Sequence, residues 1–167
     1  FQVAQDRHPE VIVEEYVHGF DFRLLVIDGK LVAAARREPA HVIGDGISSI
    51  KNLIEKTNAD PRRGFGHEKV LTQIDVDHMT ETILSIKGLS LDSCPEKGEK
   101  VYLKATANLS QGGTATDVTD EVSPDIRLMA ERAARIIGLD CVGVDALALD
   151  ISLPLDPSGI KVVEVNA

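Results

Sequence analysis

The sequence predicts an α+β protein: a mostly antiparallel sheet backed by helices 124–137 and 75–87, with a helical insertion over about 41–97. Three observations predict it. Asp28-Gly29 lies between two apolar runs, which is the strongest short-range signal for a β-hairpin. Two more apolar runs near the C-terminus, Cys141–Asp150 and Gly159–Asn166, are separated by a segment whose two prolines and glycine break any strand. Ser123-Pro124 opens an amphipathic run that Gly138 closes, so a helix spans 124–137.

Composition narrows the function classes. A chain of 167 residues with 43% apolar content can bury a real core. With 4% aromatics and no Trp, that core is aliphatic. A net charge of -9 disfavours general nucleic-acid binding but leaves room for local basic patches that hold anions. Cys94 and Cys141 show no metal or redox spacing and read as buried reduced thiols, in keeping with a cytoplasmic protein. No apolar run is long enough to span a membrane and no signal peptide is visible. The chain begins without Met and stops at Ala167 just after an acidic cluster, so it reads as a piece of a longer protein.

In chain order, Val11–Val17 reads as a strand whose alternation breaks at Glu14-Glu15. Either one of these acids faces a cleft, or both stand in water on an edge strand. Asp21–Ile27 and Lys30–Arg36 form the Asp-Gly hairpin. A two-residue turn pairs Ile27 with Lys30, Arg23 with Ala34 and Asp21 with Arg36, so Arg23 and Arg36 share a face. Like charges so placed repel unless an anion lies between them, and a guanidinium pair suits phosphate. The alternative is a simple Asp21–Arg36 ion pair. Ser48-Ser49 caps a helix bearing Ile50, Leu53 and Ile54. Residues 58–66 form a polar loop with Arg62-Arg63, a pair that is usually solvated. Helix 75–87 turns Val76, Met79, Ile83 and Ile86 inward, leaves His78 in water and ends at Gly88. Glu99–Thr106 is a strand that feeds Asn108-Leu-Ser110-Gln-Gly112-Gly113. Such a loop can turn backbone N–H groups toward an anion, though it lacks the Walker and dinucleotide patterns and is more often a plain turn. Helix 124–137 turns Ile126, Met129, Ala130, Ala133, Ile136 and Ile137 to the core and keeps Arg127, Glu131, Arg132 and Arg135 wet.

The C-terminal runs carry the main chemical signal. Both read as buried strands in an antiparallel hairpin that sets Asp145 opposite, or one residue from, Glu164. Glu164 and Asn166, two apart, share a face. Unpaired carboxylates in an apolar sheet are costly, and a hard divalent cation removes that cost. Oxygen donors without His or thiolate favour Mg²⁺ over zinc. The competing reading is an exposed hairpin with solvated acids. A metal, basic groups and backbone donors together are what Mg·ATP needs, and no arrangement for covalent catalysis is visible.

The run Val13-Glu-Glu-Tyr-Val-x-Gly-x-Asp-Phe-Arg23, the later Ala-Ala-x-Arg, and Gly143-Val-Asp145 followed by Glu164-Val-Asn166 resemble the C-terminal half of the ATP-grasp fold. The stretches Arg37–Gly46, Asn58–Leu71 and Gly98–Thr114 resemble, more closely, the cyanophycin synthetase family. Weaker likenesses are to the ATP-grasp part of fused bacterial glutathione synthetase and to the ligase that makes N-acetylglutaminylglutamine amide. The resemblance covers nearly the whole chain. It implies a cytoplasmic, homo-oligomeric carboxylate–amine ligase that uses ATP and Mg²⁺ and works through an acyl phosphate. Its substrates would be aspartate and a poly-Asp (cyanophycin) acceptor chain, with a separate Mur-ligase-like module adding arginine. By the same resemblance Asp145, Glu164 and Asn166 hold Mg²⁺, Arg23 and Arg36 touch the phosphates and the acyl phosphate, and Glu14 or Glu15 contacts the ribose. Asn108, Ser110, Gly112 and Gly113 shape the acceptor end. The family's lid subdomain and the Mur-ligase-like module are not in this chain, so alone it is expected to be poorly active or inactive. Lys104 stands where related sequences tend to carry Arg. A glutathione-type or other dipeptide ligase, and a non-catalytic nucleotide-binding or assembly module, are the alternatives.

Overall fold

The computed structural model describes residues 5, 8, 10–13, 15–66 and 68–167. Its centre is a five-stranded antiparallel sheet in the order β7-β2-β1-β8-β9. The strands are β1 (Phe20–Ile27), β2 (Lys30–Glu38), β7 (Thr114–Asp117), β8 (Cys141–Ala148) and β9 (Lys161–Asn166). Helix α3 (Pro124–Ile137) covers one face, with Ser123 as its N-cap, Pro124 in its first turn and Gly138 at φ 78° closing it. Ile126, Ala130 and Ala134 of α3 are buried against Phe22, Leu24, Val26, Val142 and Val144. That is the aliphatic core expected. Ile136 and Ile137, expected to join it, stand exposed. Both free cysteines are also exposed, against the expectation of buried thiols.

The Asp28-Gly29 hairpin forms as its sequence dictates, with both residues at positive φ. Its register does not. Val26 pairs Leu31 but Leu25 pairs Ala33, so Val32 is an extra residue on β2. From there on every pairing is one residue later than an uninterrupted hairpin gives. Arg23 faces Ala35, Phe22 faces Arg36 and Asp21 faces Arg37. A one-residue shift moves a side chain to the other face. Arg36 therefore leaves the face of Arg23, and Arg37 takes its place. Two residues of the helix face expected to be wet lie at this bulge. Leu31 N–H donates to Glu131 Oε1 at 3.1 Å, and Arg127 Nη1 donates to Leu31 C=O at 3.0 Å.

The stretch read as a helical insertion over about 41–97 is mixed rather than purely helical, and with residues 100–103 it forms one lobe. It holds α1 (Ile50–Asn58), α2 (His78–Ile86), an antiparallel pair of β3 (His41–Ile43) with β6 (Lys100–Tyr102), and a parallel pair of β4 (Arg63–Gly64) with β5 (Leu71–Thr72). Its own core joins Val42, Ile50, Leu53, Leu84, Val101 and Leu103. Asp77 caps α2 in a reciprocal capping box with Thr80, which starts the helix three residues later than expected. Thr80 and Leu84 are its buried face, whereas Val76, Met79 and Ile86 are exposed. Among the described residues of Val11–Val17 no strand forms. They pair with no strand and expose Ile12, Val13 and Tyr16. A run that finds no partner makes no ladder, whatever its propensity.

Leu31 is 5% exposed, so its N–H is shielded from water. Glu131→Ala should lower the unfolding free energy by about 1–3 kcal/mol by orphaning that donor. Glu131→Gln, which keeps an acceptor, should cost less. Urea unfolding measures both, and an unchanged midpoint for Glu131→Ala would refute the clip.

Candidate functional site

The face of the sheet away from α3 is polar. Asp21 and Arg23 of β1, Arg37 of β2, Gly143 and Asp145 of β8, and Glu164 and Asn166 of β9 share it through direct cross-strand pairing. Asp145 pairs Glu164, as the C-terminal hairpin predicted, and Gly143 pairs Asn166. The strands differ in burial, however. β8 is buried almost throughout, while β9 is the sheet edge with Val162, Val163 and Glu164 exposed.

Asp145, whose side chain is 13% exposed, is the hub. Its Oδ1 accepts from Arg23 Nη1 at 2.8 Å and lies 3.3 Å from Arg37 Nη2. Arg37 Nε also donates to Asp21 Oδ1 at 2.5 Å. Burial pushes the Arg37 guanidinium down, but Asp21 and Asp145 outweigh it and hold its pKa above the ordinary value. The Asn166 amide satisfies both its ends when its nitrogen donates to Glu164 Oε1 at 2.8 Å and its oxygen accepts from Arg23 Nη1 at 3.1 Å.

Room for Arg23 comes from its neighbours. A Cβ on Gly143 would lie 2.7 Å from both Cζ and Nε of Arg23. The guanidinium thus packs closely over Gly143, and a side chain there would displace it.

Asp21, Arg37, Asp145 and Glu164 line a cleft of about 800 Å³ between the sheet and the insertion, whereas Arg23 and Asn166 share the sheet face without lining it. Asp21, Arg37, Asp145 and Glu164 belong to the sheet wall; Lys87, Tyr102, Lys104 and Asn108 belong to the facing wall. Lys104 is 5% exposed and pairs with Asp77 Oδ2 at 2.7 Å. That bond, with those from Thr80, holds Asp77 well below the usual carboxylate range. Glu38 also lines the cleft, and it accepts from Lys100 Nζ at 2.6 Å and Tyr102 Oη at 3.0 Å. Burial pushes Glu38 up, but these bonds and His41 outweigh it and leave it lowered.

Arg36 stands apart. It lies on the α3 side of the sheet, exposed, with Cζ 5.1 Å from the centroid of the Phe20 ring. Glu15 is exposed and does not line the cleft, and Glu14 lies outside the described residues. Asn108 lines the cleft, whereas Ser110, Gly112 and Gly113 do not. The Gly112 and Gly113 amides donate to Leu109 and Asn108 carbonyls at 3.1 Å each, so they are not turned toward an anion. These glycines answer to close packing. A Cβ on Gly112 would meet Ile74 at 2.7 Å, and one on Gly113 would meet the Glu38 carbonyl at 2.8 Å. Arg63, expected in water, is 6% exposed and donates to the carbonyls of Thr72 and Gly112 at 2.6 and 3.0 Å. It ties the insertion to this loop.

Sequence reasoning missed Arg37, Gly143 and Lys87. Arg37 left a trace, because Ala-Ala-x-Arg fits both Ala33-Ala34-x-Arg36 and Ala34-Ala35-x-Arg37. Gly143 and Lys87 left none.

The set of Asp145 Oδ2, the Glu164 carboxylate and the Asn166 amide oxygen suits a hard cation. Among the described residues Glu164 has no cationic side chain within 4 Å, and no three His, Cys, Asp or Glu side chains cluster to hold a metal by themselves. Two carboxylates and an amide are what Mg²⁺ takes when phosphates and water complete its shell. No helix of the described residues is long and apolar enough to cross a membrane.

No family model matches the chain. It is 58% identical over 158 residues, 94% of its length, to the cyanophycin synthetase of Crocosphaera subtropica. It is 51% identical over all 167 residues to that of Trichormus variabilis. The glutathione biosynthesis bifunctional protein GshAB of Clostridium perfringens is 34% identical over 165 residues, 99% of the chain. The chain spans about a fifth of the length of these relatives: 18%, 18% and 21%. Among solved structures, the bifunctional glutathione synthetase from Pasteurella multocida superposes with a TM-score of 0.78 at 32% identity, over 92% of this chain and 21% of that one.

Protonating Asp77 and Glu38 removes their bonds to Lys104, Lys100 and Tyr102. Both pKa values are depressed on folding, so their stabilisation is present above the unfolded values of about 4 and is lost progressively as pH falls from there toward the depressed folded values. Thermal melts from pH 7 to pH 3 should show this loss. Asp77→Asn should flatten it, and an equally steep acid limb in that variant would sink the assignment.

Proposed function

We propose that this chain, homologous over nearly its whole length to a segment of the cyanophycin synthetases and folded as an ATP-grasp half, carries the metal and phosphate face of an ATP-dependent carboxylate–amine ligase. One observation carries the reading: Asp145, Glu164 and Asn166 converge on a single sheet face beside two guanidinium groups. Asp145, Glu164 and Asn166 would hold Mg²⁺, which would supply neutralisation of phosphate charge there. Arg23 and Arg37 lie where they can take the oxygens of that group, and Arg37 assumes the part the sequence assigned to Arg36. Asp145 keeps both guanidiniums on the face through Oδ1 and leaves Oδ2 free for the metal.

The reaction needs no covalent enzyme intermediate. A substrate carboxylate attacks the γ-phosphorus of ATP, giving an acyl phosphate and ADP. A substrate amine then attacks the acyl carbon, the C–O bond to phosphate breaks, and an amide and inorganic phosphate leave. Fixed guanidinium donors stabilise charge on the transferred group, and the walls of the cleft limit its exposure to water. Identity of 50–58% to cyanophycin synthetases favours aspartate as the added amino acid and a poly-aspartate chain as the acceptor. The 32% identity and close superposition with a glutathione synthetase keep a dipeptide ligase as the second reading.

The complete protein that carries this chain should release ADP in a manner dependent on Mg²⁺ and aspartate. Asp145→Asn and Glu164→Gln should each cut kcat by about 10²-fold or more. Glutathione formation without polymer would favour the second reading, and wild-type-like turnover in both variants would overturn the site. Gly143→Ala should displace Arg23, weaken Mg·ATP binding in calorimetry and leave the far-UV spectrum unchanged. Unaltered binding in that variant would remove Arg23 from the phosphate site.

A further inference from the structure

The sheet wall of the cleft accounts for metal and phosphate but leaves the facing wall unexplained. Among the described residues, three cations line the cleft: Arg37, Lys87 and Lys104. Arg37 is taken by Asp21 and Asp145, and Lys104 by Asp77. Lys87 has no carboxylate within 4 Å among the described residues. It follows directly on α2, and its Nζ lies 5.4 Å from the centroid of the Tyr102 ring. The ring is itself held. Its hydroxyl donates to Glu38, His41 meets it edge-on at 5.8 Å, and Lys100 Nζ lies 5.9 Å from its centroid. An ammonium over an aromatic face is positioned without a carboxylate partner, which leaves Lys87 open to an incoming anion.

We propose that Lys87, seated on Tyr102, is a specificity residue that binds a non-reacting carboxylate of the amino-acid or peptide substrate. The proposal rests on the ligase reading above. The reacting carboxylate and the phosphates belong at the sheet face, where Arg23, Arg37 and the metal ligands lie. An anion on the facing wall is therefore a second charge on the organic substrate. A compact ammonium recognises such a carboxylate by charge, and the free lysine lets the cleft select an acidic amino acid over its neutral amide. Lys104, buried and already paired, supports the wall and does not offer its charge.

The test is steady-state ADP release by the complete protein with aspartate, glutamate and asparagine. Lys87 is exposed, so Lys87→Gln should fold normally. It should raise KM for the preferred acidic amino acid at least ten-fold, leave KM for ATP within two-fold, and narrow the preference for acid over amide. Lys87→Arg should retain most of that preference. An unchanged KM for the acid would overturn the proposal. So would a matching rise in KM for ATP, because the anion would then be a nucleotide phosphate. Wild-type protein that releases no ADP with any amino acid would sink the ligase reading itself, and this proposal with it.

Discussion

A single carboxylate holds the polar face of the sheet together. Asp145 is nearly buried, and an ionised carboxylate in that position is unfavourable unless its lone pairs are used. Arg23 and Arg37 use them from two different strands, and Asp21 closes the chain of charges through Arg37. Two cations and two anions are thereby arranged across β1, β2 and β8 with no residual charge of their own. The side of Asp145 that remains faces Asn166 and Glu164. The network thus does two things: it holds two guanidinium groups on one face of the sheet and leaves a pair of carboxylates beside them ready for a cation.

That network depends in turn on the bulge at Val32. Without it Arg36 would face Asp21 and Arg37 would turn toward α3. The helix contributes to the site by holding the strand at that point. Arg127 and Glu131, one turn apart on α3, take the C=O and N–H of Leu31. Core packing of Ile126, Ala130 and Ala134 sets the helix close enough to reach. Glycine has a similar positional role at Gly143, where the absence of a Cβ lets the Arg23 guanidinium pack closely over it.

The insertion makes a face into a cleft. Its own small core orients Tyr102 and Lys104 toward the sheet, and Arg63 ties it to the Gly112 loop through backbone carbonyls. A buried guanidinium bonded only to carbonyls has its charge disfavoured by burial, and its pKa is lowered accordingly. The tie therefore gives geometry at some cost in stability. The electrostatics of the two walls differ. One is a nearly balanced network open to a divalent cation, and the other presents a lysine supported by an aromatic ring.

Local chemistry was legible in the sequence by itself. The Asp-Gly turn, the Ser-Pro helix start with its closing glycine, and the hairpin that sets Asp145 against Glu164 all follow from residues close in the chain. Their signals are turn conformation, capping and alternation, which need no distant partner. The bulge at Val32, the exchange of Arg36 for Arg37, the clearance over Gly143 and the pairing of Lys104 with Asp77 were decided only by the tertiary structure. Each depends on groups brought together from far apart: Leu31 with Glu131, Gly143 with Arg23, Asp77 with Lys104. The Val11–Val17 run shows the same limit from the other side, since a sequence with strand propensity pairs only where another strand lies beside it. Side-chain type and spacing determine which local structures are possible. Register, burial and face are settled by packing, because a shift of one residue costs little locally and reverses every side chain beyond it.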